Sequence, residues 1–171
     1  MQNLFSYPLK LEDMSQAEKT YHLKAGAKEC AAIAEVMKVP AIKSFEAEMT
    51  VQLHKKECLI DVFGRIKAEV EQTSVISLEN FDKIYEAEFS LAVDTKMTSE
   101  EQAELERQGE DVPDILDNGQ IDLAAMAMEQ LALVLDDFPR KEGEVFSFKS
   151  EFDEETTKKN NPFAVLENLK K

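Results

Sequence analysis

The sequence predicts an α+β fold: an antiparallel meander sheet of three to five strands packed against two main helices, with an acidic loop and a short C-terminal helix. Between Ser44 and Asp94, apolar residues recur at every second position in three successive runs, the period of strands with one wet face. Two other segments, residues 27–38 and 122–135, carry apolar residues at helical spacing or density. The chain has 171 residues, 43% hydrophobic and 32% charged, which suffices for one domain with its own core.

The opening residues Met1 to Pro8 lack the basic start and apolar run of a signal peptide, and no apolar stretch approaches membrane-spanning length. A cytoplasmic protein that makes no membrane contact is the expectation. From Lys19 to Lys24, Tyr21 and Leu23 alternate with His22, as in an edge strand. From Ala27 to Lys38, Cys30, Ile33, Ala34 and Met37 fall on one helical face, and Pro40 closes the segment.

The clearest run is Ser44 to His54, where Phe45, Ala47, Met49, Val51 and Leu53 alternate with Glu46, Glu48, Thr50, Gln52 and His54. After Lys55 and Lys56 the alternation resumes. Ile60, Val62, Gly64, Ile66, Ala68 and Val70 take one side, and Asp61, Arg65, Lys67, Glu69 and Glu71 the other, a long antiparallel hairpin. Phe63 stands on the wet side, either under a covering segment of the chain or as a contact site. The third run, Tyr85 to Asp94, sets Tyr85, Ala87, Phe89, Leu91 and Val93 inward.

Residues 95–119 are strongly acidic. Ser99-Glu100-Glu101-Gln102 has capping-box spacing for a helix through Arg107, and a solvated loop is the alternative. Asp117-Asn118-Gly119 reads as a turn. Ile121-Asp122 then opens an apolar helix through Leu123, Met126, Ala127, Leu131, Val134 and Leu135, with Asp122 as N-cap and Pro139 ending the segment. A polar run follows Phe148, and in the last residues Asn161 can cap a two-turn helix with Pro162 at its first position. Phe163, Leu166 and Leu169 would share one side of it, and so short a helix is stable only when docked. The expected organisation is one domain over 1–149, containing the acidic loop 95–119, then a polar linker 150–160 and a docking tail 161–171. Whether that tail docks on its own domain or on a partner stays open.

Twenty Lys and Arg against thirty-five Asp and Glu give a formal charge of -15, which repels phosphate at long range and excludes a broad nucleic-acid stripe. Lys55, Lys56, Arg65 and Lys67 form the candidate local patch for RNA. Cross-strand pairing with Glu46, Glu48, Glu69 and Glu71 explains the same residues and is the favoured reading. His22 and His54 stand on separate strands, and Cys30 and Cys58 fit no metal or redox spacing. The calcium-loop likeness at Asp114 fails, because Leu116 and Ala125 stand where oxygen ligands are needed. There is no GxSxG elbow and no glycine-rich phosphate cradle. The expectation is a non-enzymatic binding protein with no cofactor and no small-molecule substrate. A cryptic hydrolase and a general protein-interaction module are the competing readings.

Three blocks combine into a resemblance: Gln72-Thr73-Ser74-Val75-Ile76-Ser77-Leu78-Glu79-Asn80-Phe81 after a long strand, Ile121-Asp122-Leu123 running through Glu129, Leu131 and Leu133 to Pro139, and the tail Asn161-Pro162-Phe163-Ala164-Val165-Leu166 with Leu169-Lys170. Together they resemble the YceD family of large ribosomal RNA subunit accumulation proteins. The resemblance implies a cytoplasmic, non-enzymatic factor in ribosome assembly, whose partner is the pre-ribosomal large subunit, an assembly protein or rRNA. On that reading Asn161, Pro162, Phe163, Val165, Leu166 and Leu169 meet the partner, while Lys170 and Lys171 meet rRNA phosphate. Many members of that family carry a CxxC where this chain has Ser74 and Ser77, and serine hydroxyls are poor zinc ligands.

Overall fold

The computed structural model describes residues 5–110, 112–116 and 118–145. Its elements in chain order are β1 (Pro8–Lys10), a 3-10 turn (Leu11–Asp13), β2 (Lys19–Lys24), α1 (Ala27–Met37), β3 (Ala41–His54), β4 (Leu59–Thr73), β5 (Asn80–Asp94), α2 (Ser99–Arg107), β6 (Asp114–Ile115), β7 (Gln120–Asp122) and α3 (Leu123–Val134). The α+β class and the meander β3–β4–β5 stand as expected, and β2 joins β3 as an antiparallel edge strand. The sheet as a whole is mixed, in the order β2-β3-β4-β5-β6, because β6 lies parallel to β5. Parallel neighbours need a crossover of a dozen residues or more, and the acidic segment with α2 inside it supplies one. A separate two-stranded sheet pairs β1 with β7.

Alternation decides what the sheet buries. Phe45, Met49, Val51, Ile60, Val62, Ile66, Ala68 and Val70 are buried on one face. α1 contributes Cys30, Ile33 and Ala34 to that core, and α3 contributes Leu123, Ala124, Ala127 and Leu131. The polar half of each strand is left on the opposite face. Phe63, on that face, remains 48% exposed, so what is described of the chain does not bury it.

Two local departures from the sequence reading have simple causes, while the start of α3 agrees with it. α3 begins at Leu123 behind the expected N-cap Asp122, and Ile121 just before it pairs with Leu9 in the small sheet. The acidic stretch is not all loop: α2 forms, capped one residue earlier than predicted. Thr98 Oγ1 accepts from Glu101 N at 3.3 Å, and Glu101 Oε2 accepts from Thr98 N at 2.9 Å. The N-terminal arm, given no element by the sequence, packs Phe5, Leu9 and Met14 into the core, with the Phe5 ring edge-on to Phe45 at 5.8 Å.

The chain divides into Met1–Lys141 and Glu142–Lys171. The expected linker and C-terminal helix lie outside the described residues. Among the described residues no helix is long and apolar enough to cross a membrane.

Candidate interaction surface

One end of the sheet concentrates exposed apolar side chains on a hydrogen-bonded frame. After β4 the chain turns through Ser74, which is fully buried. Its Oγ accepts from Ile76 N at 3.1 Å and Ser77 N at 3.4 Å, while Ser74 N donates to Glu79 O at 2.9 Å. Leu78 closes the loop by donating to Ser74 O at 3.0 Å, in a left-handed conformation (φ 60°) that leaves its side chain 77% exposed.

The segment after α3 is fastened to this loop. Val75 N donates to Pro139 O at 2.9 Å, and Lys141 meets Glu79 at 3.0 Å. Buried Gln72 accepts from the Tyr85 hydroxyl at 2.5 Å and donates to Asp136 O at 3.4 Å. A groove of mixed character, with Val36, Val75 and Leu135 beside Lys38, Asp136 and Asp137, runs between the end of α1 and this frame. Val36, Val75, Leu78 and Phe138 stand exposed on these same segments. Apolar side chains gathered on an ordered frame are the usual mark of a contact surface.

A zinc ion does not fit here. The hydroxyls of Ser74 and Ser77 accept backbone amides, Ser77 from Glu79 N at 3.4 Å, and the described residues contain no group of three or more His, Cys, Asp or Glu able to hold a metal.

The outer sheet face has different chemistry. Register places His22, Glu48, Arg65 and Glu88 in one row across four strands, and Lys24, Glu46, Lys67 and Glu86 in the next. Sign alternates from Lys24 to Glu86 in the second row and from Glu48 to Glu88 in the first. Lys24 meets Glu46 at 2.6 Å, Lys67 meets Glu86 at 2.6 Å, His22 meets Glu48 at 3.2 Å, and Arg65 bonds Glu88 through both Nε and Nη2. The hydrogen-bonded ammonium groups of Lys24 and Lys67 hold the carboxyls of Glu46 and Glu86 below the ordinary carboxylate range. The same bonds push both lysines up.

The expected patch residues are thus divided. Lys55 and Lys56 are exposed in the β3–β4 turn. Beside them His54 lies 3.5 Å from Glu57 and 2.9 Å from Asp61, the latter without the geometry of a hydrogen bond. Arg65 and Lys67 are paired across strands, but with Glu88 and Glu86 of β5, two acids the sequence reading did not name as their partners. Asn161, Pro162, Phe163, Val165, Leu166, Leu169, Lys170 and Lys171 lie outside the described residues. Sequence reasoning missed Val36, Val75, Leu78 and Phe138 as surface groups; the signal for Val75 and Leu78 was apolar residues falling between two strand periods.

The ladder has a signed pH dependence. A carboxylate whose folded pKa is depressed adds stability above its unfolded value, near 4.5, and loses it as pH falls through the folded value. Mild acid also relieves the self-repulsion of a chain at -15, which acts in the opposite direction, so the informative quantity is a difference. Urea midpoints of the parent minus those of an E46Q/E86Q variant should be positive at neutral pH and shrink toward zero below pH 4.5. High salt should flatten the same difference, since these pairs are exposed.

No curated protein and no solved structure matches the chain. The family described as large ribosomal RNA subunit accumulation protein YceD matches residues 62–170. That span takes in β4 from Val62 onward, the Ser74 loop, α3 and the Pro139 segment that frames the apolar end, and it exceeds half of the 171 residues, so this chain belongs to the YceD family.

Proposed function

We propose that this protein is a non-enzymatic ribosome-biogenesis factor of the cytoplasm that supports accumulation of large-subunit ribosomal RNA by binding a pre-ribosomal protein or rRNA. The family match carries the reading, since the description names accumulation of that RNA and no reaction. The exposed apolar groups around Val75 and Leu78 support contact with a macromolecule.

In this reading the body through residue 149 is a platform and 150–160 a linker. The tail 161–171 docks through Phe163, Val165, Leu166 and Leu169, with Asn161 and Pro162 starting its helix. Lys55, Lys56, Lys170 and Lys171 supply local positive charge for rRNA phosphate. Arg65 and Lys67 join them only by exchanging Glu88 and Glu86 for phosphate, which costs two pairs and makes them the weaker contacts.

Sedimentation of tagged protein on a ribosome gradient tests the proposal. The full chain should comigrate with large-subunit precursors, and deleting residues 161–171 should release most of it to the top. Retention after ribonuclease treatment identifies a protein partner. A full chain that stays at the top while precursors are abundant overturns the reading.

A further inference from the structure

β5 pairs with β4 over its whole length without a shift in register, yet its other edge meets β6 only at Val93 and Asp94. Among the described residues, Asn80 to Ala92 therefore offer a row of backbone N–H and C=O groups with no strand beside them. Such edges are usually blunted by proline, a bulge, a covering segment or charged side chains, and β5 carries the last of these in Asp82, Lys83, Glu86 and Glu88. β5 has no proline and no bulge. Toward β6 the edge opens into a groove lined by Ser90, Leu91, Ala92, Val112 and Pro113.

The side chains along this edge specify what fits it. On the inner face Ala87, Phe89 and Leu91 are only partly buried, whereas Ile60, Val62 and Ile66 on the neighbouring strand are fully buried. One more strand would complete their cover. On the outer face the row Lys24, Glu46, Lys67, Glu86 alternates in sign from end to end, the row beside it alternates through Glu48, Arg65 and Glu88, and both stop on acids at the open edge. Lys67 and Arg65 each bond one oxygen, Oε1, of Glu86 and Glu88, so a cation on an added strand would share these carboxylates through Oε2 and extend the alternation. A second copy of β5 paired antiparallel about Glu86 or Glu88 would set these acids against their own carboxylates, which disfavours those registers of self-pairing. Phosphate is repelled for the same reason.

We propose that the free edge of β5 binds an extended cationic segment of a partner protein as an added strand, its Lys or Arg side chains opposite Glu86 and Glu88 and its intervening apolar side chains over Ala87, Phe89 and Leu91. An eight-residue segment spans about 27 Å, short enough to lie along the open stretch between Asn80 and Ala92. This deepens the proposed function by naming the chemistry of the partner. Its test needs no ribosomal particle, so either result can fail while the other stands.

The probe is a capped eight-residue peptide of alternating valine and lysine, titrated into the full chain at low salt by calorimetry. Its controls are the same residues in two blocks, the alternating peptide with N-methylated valines, and an alternating valine–glutamate peptide. The alternating cationic peptide should bind about tenfold or more tighter than each control, because only it satisfies backbone pairing and charge together. It should also slow hydrogen exchange in β5. E86K/E88K should weaken binding by about the same factor, and E86Q/E88Q serves if the lysine variant does not fold. Equal binding of the block or N-methylated peptide would reduce the effect to bulk attraction and overturn the added strand. Equal binding of the glutamate peptide overturns the charge argument. Absence of binding, undiminished binding to the variants, or a β5-mediated dimer that the peptide dissociates would each overturn the proposal.

Discussion

Substituting Gly64 by alanine should destabilise the protein by about 1–3 kcal/mol, the range for overpacking, although alanine is ordinarily the better residue in a strand. Gly64 lies in the middle of β4, between Met49 of β3 and Phe89 of β5. The Phe89 ring lies directly over it. A Cβ built on Gly64 would fall 2.5 and 2.6 Å from Cε1 and Cε2 of that ring and closer still to Cζ, where carbon atoms prefer about 3.5–4.0 Å. The ring must swing away from the sheet, losing its contact with the strand beneath. A double-mutant cycle checks the cause. Gly64→Ala should lower the urea midpoint in the parent, but leave it unchanged or raise it in a Phe89→Ala background, where the clash is gone and only the strand preference remains. A cost that persists without the ring would refute the packing argument. Phe89 is also one of the partly buried residues at the open edge, so moving it should disturb peptide binding there.

The long strands were legible because each has one wet face, which writes a period of two into the sequence. β1, β6 and β7 span two or three residues each and carry no period; their existence depends on partners distant in the chain, such as Leu9 beside Ile121. The start of α2 was ambiguous for a chemical reason. Thr98 with Glu101 and Ser99 with Gln102 both satisfy the capping-box pattern, and the sequence does not say which hydroxyl turns inward. The parallel strand went unread because nothing in Asp114-Ile115 distinguishes it from loop.

Pairing on the outer face was legible in kind but not in partner. The alternation put carboxylates opposite Arg65 and Lys67, and reading the hairpin alone suggested acids of β3 and β4. Both cations instead bond Glu88 and Glu86 across β5, while Lys24 on β2 takes Glu46. Four strands share the charges, and only their joint register decides who meets whom. The apolar end was less legible still. Val36 lies on α1, Val75 and Leu78 in a connecting loop, and Phe138 beyond α3; the backbone bonds of Ser74, Val75 and Pro139 tie the last two segments together, which no local pattern records.

Replacing Asp122 by alanine should cost about 2–3 kcal/mol, more than the roughly 1 kcal/mol of an average helix cap, because one carboxylate fastens two parts of the chain. Oδ1 accepts from Ala124 N at 3.0 Å and Ala125 N at 3.1 Å at the start of α3, and also from Tyr7 N at 2.9 Å, while Oδ2 accepts from Ser6 Oγ at 2.5 Å. Leu123 N donates back to Tyr7 O at 3.1 Å, so the N-terminal arm and α3 meet at this residue. Alanine leaves the Ala124 and Ala125 amides without their acceptor and loosens the arm that buries Phe5 and Leu9. Asparagine keeps an acceptor oxygen but gives up the charge that favours a helix N-terminus, a loss of about 0.3–1 kcal/mol. The order of stability should therefore be parent, Asp122→Asn, Asp122→Ala, with the alanine variant melting roughly 5–10 °C below the parent. Hydrogen exchange locates the effect. The amides of Tyr7, Ala124 and Ala125 should lose protection together in Asp122→Ala, whereas loss confined to α3 would show that the arm is held by its apolar contacts alone.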